Sequence, residues 1–374
     1  MNVQRYNSQL IVTSGDNLIL CDETSGGSHA VNIPPPDLPP NLTKGQMEIL
    51  NKQDRTINSI AISNNGQYIA VSTENKQVVI YDNNLKMKRN FIVNRTASQL
   101  AFSSCGDILV ADRTGDVFLY KLSEENSEPT LLLGHLSMIL DVALSECGKY
   151  VVTCDRDEKI RISRFPNTYN IVSYCLGHEE FVTRIKIVKN ILVSASGDGT
   201  VRIWNFLKGE QLNMINTNHY IANRNLLDAF SKEMEKEKVD VVALPVSDMQ
   251  AYYNSNNLFV GISIHSYNKI QLYKINLENY ESTYLTSIES IEIPYKFCLT
   301  DILYIFDSFK ISVYKLTNGN YTETPSPELE NFYKKHKHIF KFANSNCITV
   351  LYKRKFDNVQ EYLDRKKMRL ESYQ

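Results

Sequence analysis

The sequence predicts an all-β fold, a seven-bladed β-propeller with a C-terminal basic helical extension, and three observations carry that prediction. First, one phrase occurs twice between residues 131 and 206: Leu133-Gly134-His135 followed by Thr153 to Asp157, then Leu176-Gly177-His178 followed by Ser194 to Trp204, the second copy reading SASGDGTVRIWN. A repeat of about forty to forty-five residues, opened by Gly-His and closed by Trp on its third strand, is the period of a propeller blade. Second, short apolar runs of period two recur along the chain, as in Ser59-Ile60-Ala61-Ile62, Tyr68-Ile69-Ala70-Val71 and Val78-Val79-Ile80-Tyr81, separated by Asn-Gly, Cys-Gly and Gly-Asp turns. Third, strands do not alternate with helices, so a parallel α/β sheet is excluded.

The strand pattern divides into about seven units, the usual number for such a repeat, near 6–45, 55–94, 96–133, 134–176, 177–216, 237–286 and 287–323. The first and the last two lack both Gly-His and Trp and are assigned by strand pattern alone. The propeller is therefore expected over 1–325 and the extension over 326–374. Residues 33–41 (IPPPDLPPN) read as a stiff proline-rich surface loop. Residues 224–238 read as a helical insertion between the fifth and sixth units, with Leu227, Phe230 and Met234 on one face. The extension opens with an expected helix over 327–340, passes through an expected strand at Cys347–Tyr352, and ends in FDNVQEYLDRKKMRLES, where Asp357 is an N-cap candidate and Val359, Tyr362, Leu363 and Leu370 share a side.

Composition narrows the function classes. The 374 residues are 43% hydrophobic with a formal net charge of −1, so the whole chain is not a polycation and any nucleic-acid contact must come from a local patch. No run approaches about eighteen apolar residues, so no membrane span is expected, and the N-terminus lacks the basic start and apolar run of a signal peptide. The seven cysteines (Cys21, Cys105, Cys147, Cys154, Cys175, Cys298 and Cys347) are odd in number and form no CxxC pair. They read as reduced, mostly buried thiols in an intracellular protein, with no metal site.

His178, Ser194, Asp198 and Trp204 sit at the spacing of the structural tetrad of WD repeats, a buried relay that satisfies several polar groups at once. The fourth unit carries the matching His135, Thr153 and Asp157 but has Ser163 at the Trp position. Ser, His and Asp together could suggest a hydrolase, yet no GxSxG elbow is present and the spacing is that of the blade. His29, His219 and His265 are scattered, so no catalytic residue is assigned.

One family is resembled closely. The run GHLSMILDVALSECGKYVVTCDRDEKIRISRFP, then CLGHEEFVTRI and SGDGTVRIW, is similar to the WD-repeat, non-catalytic subunit of the tRNA (guanine-N7-)-methyltransferase. CDRDEKIRIS at 154–163 is its most distinctive part, and VADRTGDVFLY (110–120) and LYKRKFDNVQEYL (351–363) also match. The likeness is dense over about 96–206 and returns at the tail. It implies a WD-repeat propeller that docks beside a separate, S-adenosylmethionine-binding catalytic subunit and helps grip tRNA while N7-methylguanine forms in the variable loop. The chain itself would hold no cofactor and would reside in the nucleus, with the cytoplasm as a second compartment.

The resemblance implies that basic residues at Arg113 and Arg161 face acids of the catalytic subunit. Asp155, Arg156 and Lys159, on the same charged turn, join the expected partner surface, while Asp157 is expected in the tetrad. Lys353, Arg354, Lys355, Arg365, Lys366, Lys367 and Arg369 form the clearest basic concentration in the chain and suit tRNA phosphates. A nuclear-import role for the same cluster is compatible with this. The competing reading is a general WD-repeat scaffold, such as a ubiquitin-ligase substrate adaptor, because fold alone does not fix function.

Overall fold

A computed structural model describes the chain except for residues 37–42, 44, 46–53, 125–127, 294–295, 341–347, 355–365 and 367–374. Its strands form seven four-stranded antiparallel sheets, each a meander whose spatial order follows the chain. The blades comprise residues 2–32, 57–92, 97–134, 139–175, 182–216, 246–289 and 296–323. The second and third strands of a blade lie between neighbouring sheets, so both of their faces are covered. Ile191–Ser196 is buried at every position, whereas the outermost strand of the same blade, Glu210–Asn216, has a single buried residue. This is why the middle strands read as near-continuous apolar runs rather than as clean alternation.

The first strands of all seven blades line a central channel of about 760 Å³. The core is a ring of apolar layers between adjacent blades. Ile11 and Leu18 of blade 1 meet Ile60, Ile69 and Val79 of blade 2, and blade 7 closes on blade 1 through Tyr304 and Phe306 against Leu10, Val12 and Ile19. No strand is exchanged at this seam. Arg5 of blade 1 bridges it instead, pairing with Asp301 of blade 7 at 2.7 Å and with Glu23 at 2.5 Å.

Among the described residues, two α-helices of eight or more residues pack on the ring. α1 (Asn225–Glu235) lies between blades 5 and 6 and buries Phe230 and Met234 among Phe181, Leu244 and Ile264, with Leu227 half-buried at its edge. α2 (Pro327–His336) starts at an N-cap, where Ser326 Oγ accepts from the Leu329 amide, and has proline in its first turn. It packs Leu329, Phe332 and Tyr333 onto blades 1 and 7 and ends earlier than the pattern over 327–340 suggests. Of the strand expected at Cys347–Tyr352, Cys347 lies outside the described residues, and the remainder holds a short 3-10 turn, Thr349–Leu351, with the carbonyls of Leu351 and Tyr352 accepting from an arginine side chain rather than from a neighbouring strand. Cys21, Cys154, Cys175 and Cys298 are buried free thiols, and Cys105 and Cys147 are exposed free thiols. Among the described residues no helix is long and apolar enough to cross a membrane.

Trp204, the one tryptophan of the chain, is 1% exposed and donates its indole N–H to Ser194 Oγ at 2.8 Å. Trp204→Ala should lower unfolding free energy by about 3–5 kcal/mol, since it empties a large buried site. Urea denaturation followed by far-UV circular dichroism measures this.

Candidate functional site

A four-stranded meander brings the turn between its second and third strands to the same end of the sheet as the loop that enters the blade. Blades 4 and 5 stitch these two loops together through a buried histidine. In blade 5 the indole of Trp204 can only donate, so Ser194 Oγ accepts from it and turns its own proton to His178 Nε2 at 2.8 Å. The Nδ1 proton of His178 then goes to Asp198 Oδ2 at 2.9 Å, while Asp198 Oδ1 accepts from the Thr200 amide. Burial alone would raise the Asp198 carboxyl, but the His178 hydrogen bond and charge hold it at about 2. Burial likewise lowers the pKa of His178, favouring its neutral form.

Blade 4 builds the relay differently from the sequence expectation. His135 bridges Thr153 Oγ1 and the carboxylate of Asp155, each at 2.8 Å, so Asp155 and not Asp157 is the relay acid. Asp155 is the last residue of the second strand and is 1% exposed. Its Oδ1 also accepts from the amides of Asp157 and Lys159, closing the turn from inside. One carboxylate thus does the work that Ser196 and Asp198 share in blade 5, and Asp157 is pushed out to the surface. The same inward position rules out Asp155 as a partner contact. A comparable stitch in blade 7, where Ser290 Oγ donates to Asp307 Oδ2 at 3.0 Å and Asp307 Oδ1 caps its own turn, went unread in the sequence. The signal was an acid four residues before the apolar run starting at Ile311, without the Gly-His that marks the other blades.

The other expected partner residues are dispersed in role. Arg113 is exposed and pairs with Glu74 of blade 2 at 2.5 Å. Arg156 is turned onto the chain's own carboxyl-terminal segment, donating to Leu351 O at 2.8 Å and Tyr352 O at 2.9 Å. Lys159 is exposed. Arg161 lies on the third strand two residues before Ser163, hence on the same face. Its guanidinium donates to Ser163 Oγ, Gly134 O and Thr168 O at 2.9–3.2 Å. The small Ser163 leaves room for this reach, which an indole would block. All three acceptors are neutral, and no carboxylate among the described residues forms an ion pair with Arg161 or Lys159. Around them Leu136 is fully exposed, Leu176 and Leu131 more than half, and Tyr174, the cross-strand neighbour of Arg161, 40%. Cationic groups without a counter-charge beside exposed leucines and a tyrosine have the composition of an interface core and its rim.

Of the expected tRNA-binding set, Lys353 pairs with Glu158 at 2.5 Å and Asp157 at 3.4 Å, Arg354 pairs with Glu237 at 2.6 Å, and Lys366 is helical and exposed. Lys355, Arg365, Lys367 and Arg369 lie outside the described residues. In the channel, Asp248 stands between Arg184 at 2.9 Å and Lys296 at 2.6 Å. Burial would raise its carboxyl, but the two cations hold it at about 2. Asp141, with both oxygens on backbone amides, is raised by burial. Among the described residues no group of three or more His, Cys, Asp or Glu could hold a metal ion.

Comparison with known proteins adds the following. A family model described as "tRNA methyltransferase TRM82 WD40 domain" matches residues 120–305, and one described as "WD domain, G-beta repeat" matches residues 46–82. The chain is 32% identical over 377 residues to the tRNA (guanine-N(7)-)-methyltransferase non-catalytic subunit wuho of Drosophila pseudoobscura pseudoobscura, covering 94% of this chain and 89% of that protein. It is 30% identical to the corresponding subunit wdr4 of Danio rerio, covering 86% and 78%. A shorter stretch of 161 residues is 41% identical to wdr4 of Xenopus laevis, covering 41% of each. Among solved structures, a chain of the mitotic checkpoint complex aligns with a TM-score of 0.65 at 14% identity, covering 84% of this chain and 90% of that one. The Cps50 (Swd1) β-propeller domain of Myceliophteria thermophila aligns with a TM-score of 0.61 at 10% identity, covering 84% and 95%. These two likenesses establish the propeller fold.

The two acids of the blade-4 turn should behave in opposite ways. Asp155→Ala should cost about 1–3 kcal/mol for each buried donor it orphans, whereas Asp157→Ala should cost less than about 1 kcal/mol; chemical denaturation of both variants checks this. The pH dependence of melting has a definite sign. His178, His265 and His336 all have pKa values lowered by burial, so acidification through 6.5 protonates them in the unfolded chain first and lowers stability. Asp198 and Asp248, depressed from 3.8 to about 2, add stability above 3.8 that is lost as pH falls towards 2. Differential scanning fluorimetry should therefore give a lower Tm at pH 5 than at pH 7 and a lower one again near pH 3.

Proposed function

The chain belongs to the WD-repeat family of tRNA (guanine-N7-)-methyltransferase non-catalytic subunits, and on that premise we propose that it docks a separate, S-adenosylmethionine-binding catalytic subunit and helps hold tRNA while N7-methylguanine forms in the variable loop. Its relatives are named as non-catalytic subunits, which favours this reading over a general WD-repeat scaffold. The observation that supports the docking site most directly is Arg161: a guanidinium fixed by three neutral acceptors, without an ion-pair partner among the described residues, beside Lys159 and the exposed Leu136, Tyr174 and Leu176. A preorganised guanidinium presents a rigid fork to a carboxylate of the partner, and the leucines supply apolar area around it. Arg113, one blade away, is a second cation of this surface that can exchange Glu74 for an acid of the partner. The basic tail is proposed to meet tRNA phosphates, and its residence is proposed to be nuclear, with the same lysines and arginines serving import.

Three outcomes follow. The pure chain should transfer no methyl group, and adding the catalytic subunit should yield N7-methylguanine in tRNA, measured by nucleoside mass spectrometry. Arg161→Glu should weaken the heterodimer by about 2–5 kcal/mol, read by calorimetry, and a lysine at the facing acid should recover part of the loss. Lys366→Glu with Lys367→Glu should reduce tRNA affinity of the assembled complex and flatten its dependence on salt by about one to two units of log–log slope.

A further inference from the structure

Residues 348–354 return to the ring far from α2. α2 rests on blades 1 and 7, whereas Ile348 and Tyr352 join the core of blades 5 and 6 together with α1. Tyr352 is 2% exposed. Its ring stands edge-on to Phe181 at 4.9 Å and tilted against Phe230 at 6.1 Å, and its hydroxyl donates to Gly197 O at 3.1 Å. On the blade-4 side the guanidinium of Arg156 holds two successive carbonyls, Leu351 O and Tyr352 O. Lys353 then meets Asp157 and Glu158, and Arg354 meets Glu237 just beyond α1. The contacts of Arg156, Asp157 and Glu158 depend on the turn geometry. With Asp155 drawn inward to His135, the next three side chains point out. Glu158 also sits at φ 64, a left-handed conformation that blade 5 gives to Gly199 at φ 75. Strain of this kind persists where the surroundings over-determine it.

We propose that the Arg156-Asp157-Glu158 turn of blade 4 is a receptor for residues 351–353 of this same chain, and that by clamping Tyr352 it fixes the root of the basic run that follows in sequence, so that this run meets the polyanionic backbone of tRNA beside the proposed partner-facing surface of blade 4. This rests on the tRNA-gripping reading and assigns the turn a role different from direct contact with the catalytic subunit. Arg156, Glu158 and Tyr352 are positioning residues: they act on nucleic acid through the tail. The charges fit the assignment, since acids line the dock of Lys353 and Arg354, and these are followed in sequence by Lys355, Arg365, Lys366, Lys367 and Arg369. Clamping the root of a charged segment raises its effective concentration at one place without adding a contact to the ligand.

The test uses Arg156→Ala, Glu158→Lys and Tyr352→Ala, with Tyr352→Phe as the conservative variant should the alanine variant not fold. In the isolated chain, release of the tail should speed tryptic cleavage after Lys353 and Arg354 by at least about tenfold, the local opening that protease detects. In the assembled complex, affinity for the catalytic subunit should stay within about twofold, while tRNA affinity and its salt slope fall towards those of the Lys366→Glu, Lys367→Glu complex. Three results would overturn the proposal. Cleavage at the wild-type rate would mean that the turn does not hold the tail. Weaker heterodimer formation with a still-protected tail would make Arg156 a partner contact. A released tail with unchanged tRNA binding and slope, in a complex that does lose tRNA on tail neutralisation, would remove the positioning role alone. If neutralising the tail itself changes nothing, the tRNA-gripping reading fails, and the positioning role fails with it.

Discussion

The stitching of two loops by a buried carboxylate is the constraint on which the functional face depends. In blades 4, 5 and 7 an acid at the end of the second strand, or in the turn that follows it, caps that turn and accepts a hydrogen bond from the loop entering the blade. A buried carboxylate is tolerated only when its lone pairs are filled. The relay therefore fixes the path of both loops to within hydrogen-bond tolerance. Those loops make up the rim, so its shape follows from a few buried polar bonds rather than from apolar packing, which alone would tolerate many loop conformations.

Blade 4 shows what a change in that relay does. Using Asp155 instead of an acid two residues later shortens the stitch and tips Arg156, Asp157 and Glu158 outward, where blade 5 keeps a compact Gly-Asp-Gly turn. Replacing Trp with Ser163 on the next strand opens room for Arg161 to lie across the blade. The two departures from the ordinary repeat thus create two surfaces on one blade. One is a cationic, leucine-flanked face for which the described residues supply no counter-charge. The other is an acidic, arginine-bearing edge that the chain occupies with its own tail.

The arrangement is consistent with a family named for lacking catalysis. A propeller closed by packing rather than by strand exchange, with Arg5 tying blade 7 to blade 1, is a rigid body that can present charges at fixed spacing. In the channel Asp248 is satisfied between Arg184 and Lys296, and this cluster contributes to cohesion of the inner strands. The proposed partner-facing and tail-docking features meet on blade 4, so orientation of a bound protein and placement of the tail would be set by the same piece of scaffold.

The sequence by itself determined the propeller, because short apolar strands punctuated by Gly-His and by glycine turns are local signals repeated at a fixed interval. It also determined the blade-5 tetrad, where every member stands at the ordinary spacing, and the family, through the DRDEKIRIS phrase. It did not determine which acid of that phrase points inward. Asp155 and Asp157 are both aspartates two positions apart at the end of a strand, and only the position of His135 on a separate loop chooses between them. Nor did it show that Arg156, Lys353 and Arg354 are spent on one another's neighbourhoods: residues nearly two hundred apart in the chain meet only because residues 348–354, which follow α2 on blades 1 and 7, come back over blades 4 and 5. The strand expected at Cys347–Tyr352 failed for the same reason. Its β-branched and aromatic residues suit a pleated surface, but the surface they meet offers a guanidinium and a tyrosine slot instead of a sheet edge. Local periodicity records which face of an element is apolar; what that face touches is decided by chain closure over long separations, which no local pattern encodes.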